Sequence, residues 1–284
     1  MKKNKLFQYF LLFPVIIYSF LLILIPLIYV LFLSFCKNDS YGGMIYEFTL
    51  SNYLTIFDFT YMMILLKSAL IALIATLICA FISYPFSIFL MDKSERTRSF
   101  LIKLVMIPFL TNSLIRTYGW IVLLRKNGVI NSALIGTGII SKPLSLMYNN
   151  LGIIIGMVYT LLPFMILPIY SAVSKMDYSL VEAAKDLGAS KWKVFKEVIL
   201  PSTISGLFNG SLMVFIPAIG YFFITDILGG GKVMIIGNLI KNQFLTARNW
   251  PFGSAISIFL ILITFLLVKL YKKIGGKMDD LGGF

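Results

Sequence analysis

Six stretches of the chain are apolar for about 20 residues or more, namely 6–35, 68–91, 100–124, 151–174, 203–225 and 252–271. About 20 such residues form a helix that crosses the ~30 Å hydrocarbon core of a bilayer. Inside lipid every backbone N–H and C=O must find a partner within the protein, which favours helices for runs of this length. The expected fold is therefore all-α, a polytopic membrane protein with about six transmembrane helices and the lipid bilayer as its solvent. Composition points the same way. Of 284 residues, 59% are hydrophobic and only 13% charged, about half the charged share of an ordinary soluble domain. The first run is longer than a signal-peptide core and no small-residue cleavage site follows it, so it is expected to stay as an anchor, kinked at Pro14 and Pro26.

The net charge of +13 would suggest nucleic acid in a soluble protein. Here it reads as topology, because cations collect on the cytoplasmic ends of membrane spans, and no nucleic-acid partner is expected. With the N-terminus in the cytoplasm, 16 of the 25 Lys and Arg fall on inner segments, which favours both termini inside. Prolines 85, 108, 163, 168 and 217 lie within the spans. They read either as ordinary kinks or as bends around a pathway. The chain has no histidine, and its two cysteines, Cys36 and Cys79, lie within or at the end of apolar runs. No catalytic residue, metal site or cofactor is expected. Gly229-Gly230-Gly231-Lys232 lacks P-loop spacing and reads as a turn. The outer loops are too short for separate domains, so 1–284 reads as a single membrane domain.

One internal segment, 177–201, is polar where its surroundings are not. Ser179 with Glu182 is a capping-box pattern, so a helix is expected to begin there. Ala183 and Ala184 give that helix a small-residue face. Gly188 fits a helix end that needs a left-handed backbone. Ser190 can cap a second short helix over 191–199, and Pro201 is expected to break the chain before the next span. On these grounds alone, a helical hairpin resting on lipid headgroups is an equal alternative.

Glu182-Ala183-Ala184, then Gly188, Val198 and Leu200-Pro201, resembles the EAA motif of ABC-importer permeases, with Val198 in place of the more usual Ile. The resemblance implies that 177–201 is a cytoplasmic coupling-helix segment. Glu182, Ala183, Ala184 and Gly188 would then sit in a groove on an ATPase subunit, with Lys185, Asp186 and Leu187 assisting. Further stretches, including 107–119, 161–170, 235–241 and 249–253, resemble the PotB-type spermidine/putrescine permeases of the same family. The resemblance implies a type I ABC importer permease fold in a bacterial cytoplasmic (inner) membrane. It further implies a heterodimer with a second related permease, two ATPase subunits that hydrolyse the ATP, and an extracytoplasmic polyamine-binding protein that delivers the substrate. An importer of another small solute, such as an anion or ferric ion, is the alternative.

A polyamine is a chain of ammonium groups separated by methylenes, so it suits carboxylates alternating with aromatic faces. The outer end of the fifth run offers Tyr221, Phe222 and Asp226, and an acid at a span end is a pathway candidate. A solvated helix cap is the plainer reading of Asp226. The third run offers Asn112, Tyr118 and Trp120. At about 1.5 Å per residue along a straight helix, Asn112 falls near mid-bilayer and Trp120 near the outer interface. Tyr159 on the fourth run joins them. Arg116 in the outer half would repel a polyamine unless it is paired or turned away. Two possibilities stand: Asp226 pairs with Arg116, or it faces the substrate.

Overall fold

Twelve helices and one short hairpin account for the described residues, 13–39 and 42–273, of a computed structural model of the chain. In chain order they are α1 (Phe13–Leu33), strands β1 (Lys37–Asn38) and β2 (Met44–Ile45), α2 (Ser51–Ile56), α3 (Phe59–Met91), α4 (Glu95–Met106), α5 (Ser113–Leu124) and α6 (Val129–Gly136). Then follow α7 (Asn150–Ser174), α8 (Ser179–Asp186), α9 (Lys191–Gly220), α10 (Phe222–Gly229), α11 (Ile236–Leu245) and α12 (Trp250–Lys273). Five of them, α1, α3, α7, α9 and α12, are long and apolar enough to cross a membrane, and a bent pair built on α4 to α6 makes a sixth. The all-α polytopic expectation holds. Residues 6–12 of the first expected run lie outside the described residues.

Four local expectations are corrected. The second span begins at Phe59 rather than 68. Lys67 reads as the end of an outer loop in sequence, yet a lysine near the end of a long helix can extend its ammonium toward the interface. At 33 residues α3 is about 50 Å long, more than a bilayer core requires.

The third run is not one straight helix. Pro108 falls in a 3₁₀ turn, Ile107–Leu110, and Thr111 is extended. Asn112 then caps a new helix through Oδ1, which accepts from the Leu114 N–H at 2.8 Å. The two halves are bent by 96°. Proline removes one backbone donor and clashes with the carbonyl four residues earlier. The depths assigned to Asn112 and Trp120 along a straight rod therefore do not hold.

The fifth run breaks at Tyr221 (φ −79°, ψ 64°), so Phe222 and Asp226 sit on a separate helix, α10. Pro201, in contrast, does not break the chain. It is the second residue of an α-helical stretch that follows a π turn, Phe195–Ile199, and α9 runs on from Lys191 to Gly220. The wider π turn supplies the slack that a proline at this position needs. A similar π turn, Phe20–Leu24, precedes Pro26 in α1.

The described residues form two compact units. In the unit of Met1–Met62 and Leu239–Thr264, buried Asn52 on α2 donates to the carbonyls of Ser34 (3.0 Å) and Cys36 (2.8 Å), which fixes the turn after α1. The strand pair is closed by Lys37 and Glu47 at 3.5 Å. Tyr61 and Phe57 pack their rings on Phe252 and Phe259 of α12.

In the unit of Met63–Asn238 and Phe265–Phe284, α7 and α9 form the centre. Lipid tails are as apolar as leucine, so helices in a membrane associate by close packing rather than by hydrophobic exclusion. Gly206 and Gly210, four residues apart on α9, make the approach possible. A Cβ on Gly206 would meet the Pro168 carbonyl oxygen at 2.6 Å, and one on Gly210 would meet the Met165 sulfur at 2.6 Å. Met157, Leu161, Met165 and Ile169 are almost fully buried along α7. Helix α3 joins the group through the buried hydroxyl pair of Tyr84 and Thr203, and Tyr84 also meets the Phe195 ring edge-on at 5.5 Å.

Candidate functional site

The polar segment folds as two helical pieces around Gly188, but its first helix is not capped as expected. Tyr178 is already helical in backbone (φ −67°, ψ −22°), so Ser179 is the first residue inside α8 and no side chain of a cap residue bonds back. The Asp177 carboxylate takes the Ser179 N–H instead, at 3.0 Å. Hydrogen bonds from the Ser179 side chain and backbone hold the Asp177 carboxyl below its ordinary range. The end of α8 is as expected. Gly188 has φ +77°, its N–H donates to the Lys185 carbonyl (2.9 Å), and the Ala189 N–H donates to the Ala184 carbonyl (3.0 Å). This is the Schellman pattern, and a side chain at Gly188 would strain its backbone. Ser190 Oγ accepts from the Lys193 N–H at 3.4 Å and starts α9.

Val181 and Val194 anchor the two pieces, each 3% exposed. Glu182, Ala183, Lys185, Asp186, Leu187 and Gly188 face outward, and Ala184 is half-buried. Leu187 is 89% exposed and Trp192, stacked on Phe195 at 5.5 Å, is 71% exposed. Two large apolar side chains held out on a polar segment leave an uncovered apolar patch. Tyr178 sits beside this patch. Its hydroxyl donates to Asp92 at the end of α3 (3.4 Å), and the Lys185 ammonium stands 5.6 Å from its ring.

The second cluster lies where α5, α7 and the break before α10 meet. Trp120 and Tyr159 form an edge-on pair with centroids 5.3 Å apart. They line an open cavity of about 560 Å³ with Arg116, Gly119, Val122 and Leu123. The Arg116 guanidinium lies 5.0 Å from the Phe109 ring and 5.9 Å from the Tyr159 ring. Tyr221 stands close to Arg116 and Ser113. Tyr118, two residues from Arg116 and Trp120, is 58% exposed on another face of α5, and Asn112 serves as the helix cap.

Asp226 has a partner that the sequence reading did not anticipate. Asn238 Nδ2 donates to its Oδ1 at 2.6 Å and to the Phe222 carbonyl at 3.1 Å, while Asn238 Oδ1 accepts from the Ile235 N–H at 3.2 Å. Asn238 thus ties both ends of the α10–α11 connection. The expected pathway residues form two neighbouring groups rather than one: Trp120, Tyr159 and Tyr221 around Arg116, and Phe222 with Asp226 around Asn238. Asn238 and Phe109 carry no local sequence signal. Their roles depend on two chain breaks, at Tyr221 and Thr111, that an apolar run conceals.

Comparison with known proteins fixes the context. Residues 3–279 match the family described as binding-protein-dependent transport system inner membrane component. The chain is 45% identical over 260 residues to the spermidine/putrescine transport system permease protein PotB of Haemophilus influenzae, covering 91% of each chain. It is 43% identical over 251 residues to the protein of that name from Escherichia coli, covering 88% of this chain and 91% of the relative. In fold it is similar to a chain in the crystal structure of a bacterial ABC transporter that imports the acidic polysaccharide alginate. The TM-score there is 0.76, with 15% identity over 96% of this chain and 97% of the other. A chain of the MetNI methionine ABC transporter gives a TM-score of 0.51 at 17% identity, over 76% and 97%. The type I permease fold follows from these likenesses, and the chain belongs to the binding-protein-dependent transport system inner membrane component family.

Proposed function

We propose that this chain is a membrane-spanning subunit of an ATP-driven importer of polyamines, spermidine and putrescine, and that it forms the translocation pathway with a second, related permease. The observation that carries this reading is the 45% identity over 91% of both chains to a spermidine/putrescine permease. The whole chain acts as one permease domain, and both termini lie in the cytoplasm, as the Lys and Arg distribution favours. ATP is hydrolysed on two separate ATPase subunits. An extracytoplasmic binding protein delivers the polyamine to the outer side.

The segment 177–201 is the coupling element. Glu182, Ala183, Ala184, Lys185, Asp186, Leu187 and Gly188 meet the ATPase, and the outward-facing Leu187 suits an apolar groove there. ATP binding draws the ATPase subunits together, the coupling helices follow, and the spans open outward to accept cargo. Hydrolysis returns them inward. Along the path, Trp120, Tyr159, Tyr221 and Phe222 offer aromatic faces to the methylenes and ammonium groups, with Tyr118 on another face of α5 and Asn112 at its cap as further contacts. Asp226 supplies negative charge. The test is ATP-dependent uptake of labelled spermidine into vesicles carrying the assembled complex. Uptake displaced by unlabelled putrescine but not by sulfate or ferric citrate is expected. Displacement by either of the last two, with none by polyamine, would overturn the substrate assignment.

A further inference from the structure

Arg116 is a cation on the wall of a pathway assigned to a polycation, and its surroundings are unusual. Its Nε is buried and has no hydrogen-bond partner among the described residues. The ring faces of Phe109 and Tyr159 hold the guanidinium at 5.0 and 5.9 Å. Tyr159 also pairs with Trp120, and all three of Arg116, Trp120 and Tyr159 open onto the same cavity of about 560 Å³. No other lining residue of that cavity is charged.

An alkylammonium group entering this cavity seeks the faces of Tyr159 and Trp120, because the negative face of an aromatic ring attracts any cation. A guanidinium and an ammonium cannot share one ring face within a few ångströms, since like charges at that distance repel strongly in a medium of low dielectric. Stacked Arg116 and bound polyamine therefore exclude each other. A guanidinium without an acceptor for its Nε is also held less firmly than one in an ion pair.

We infer that Arg116 is a specificity-determining residue, a tethered cation that occupies the aromatic subsite between transport cycles and competes with the polyamine for it. This rests on the polyamine reading above. The competition keeps binding weak enough for cargo to leave, as conduction through any multi-site path requires. Its repulsion also grows with each further ammonium group on the cargo, so Arg116 favours release of triamines more than of diamines.

The experiment is ATP-driven uptake by the complete complex in vesicles, with putrescine and spermidine, for wild type, Arg116→Gln and Arg116→Lys. The inference predicts that Arg116→Gln lowers KM for spermidine by about tenfold, the scale expected for removing a nearby unit charge. The fall for putrescine is smaller, and kcat falls as release slows. Arg116→Lys, which keeps the charge, stays close to wild type. A merely structural Arg116 would instead give equal losses for both substrates, and would not be rescued by lysine. Unchanged or raised KM in a well-assembled Arg116→Gln complex would overturn the inference while leaving the polyamine reading intact. A wild-type complex that takes up neither polyamine would overturn both.

Discussion

Single side chains settle the geometry of both candidate regions. Asn238 is 3% exposed and spends both amide functions on the α10–α11 connection. Replacing it with leucine keeps the volume roughly but takes the acceptor from the buried Ile235 N–H and one donor from Asp226, and a buried group left unsatisfied costs about 1–3 kcal/mol. The expected outcome for Asn238→Leu is a lower thermal midpoint of the detergent-solubilised complex, read by size-exclusion after heating. Asp177 gives a pH signature. Its carboxyl is held below the ordinary range by the Ser179 side chain and backbone, so the unfolded chain takes up its proton first as pH falls. The contribution is complete above the unfolded value and is lost as pH drops through the lower folded one. Amide exchange at Ser179 should therefore show pH-independent protection once intrinsic rates are corrected, down to about pH 5, with loss confined to below about pH 4.

At the scale of elements, the long uniform helices were legible and the interruptions were not. The span over 150–174 was read to within one residue, because its apolar run is bounded by Asn149-Asn150 and by Ser174-Lys175. The breaks at Thr111 and Tyr221 leave no mark in the apolar pattern. Hydropathy there stays high on both sides, and the cause is local: Pro108 with a capping Asn112 in one case, an isolated turn conformation at Tyr221 in the other. Pro201 is the opposite case, a helix breaker in sequence that a π turn absorbs. The Gly206–Gly210 spacing is a legible mark of close helix approach, because small residues four apart let two backbones meet. Gly206→Val puts a branched side chain against the Pro168 carbonyl, which is backbone and cannot yield easily. Overpacking of this kind costs about 1–3 kcal/mol. The variant should assemble poorly, seen as a reduced monodisperse fraction, whereas Ser205→Ala beside it should not.

For the whole molecule, the proposed function joins a coupling segment, 177–201, to a proposed cation-accepting path lined from α5, α7 and α10. The two-piece helical form of 177–201 is legible because a glycine stop and a capping serine leave marks on contiguous sequence: Gly188 has φ +77° and Ser190 caps the second piece. The residues of the proposed path are legible only as residue types, because they lie on α5, α7 and α10 across breaks that sequence does not announce. The most direct measurement is ATP-driven spermidine uptake by vesicles carrying the complex with Gly188→Asp. An aspartate at this backbone conformation is strained and places a charge on the coupling segment. The account predicts that uptake falls by at least about tenfold, the equivalent of 1.4 kcal/mol in coupling, while the purified permease pair still elutes as a monodisperse complex. Uptake equal to wild type would contradict the claim that 177–201 carries the drive.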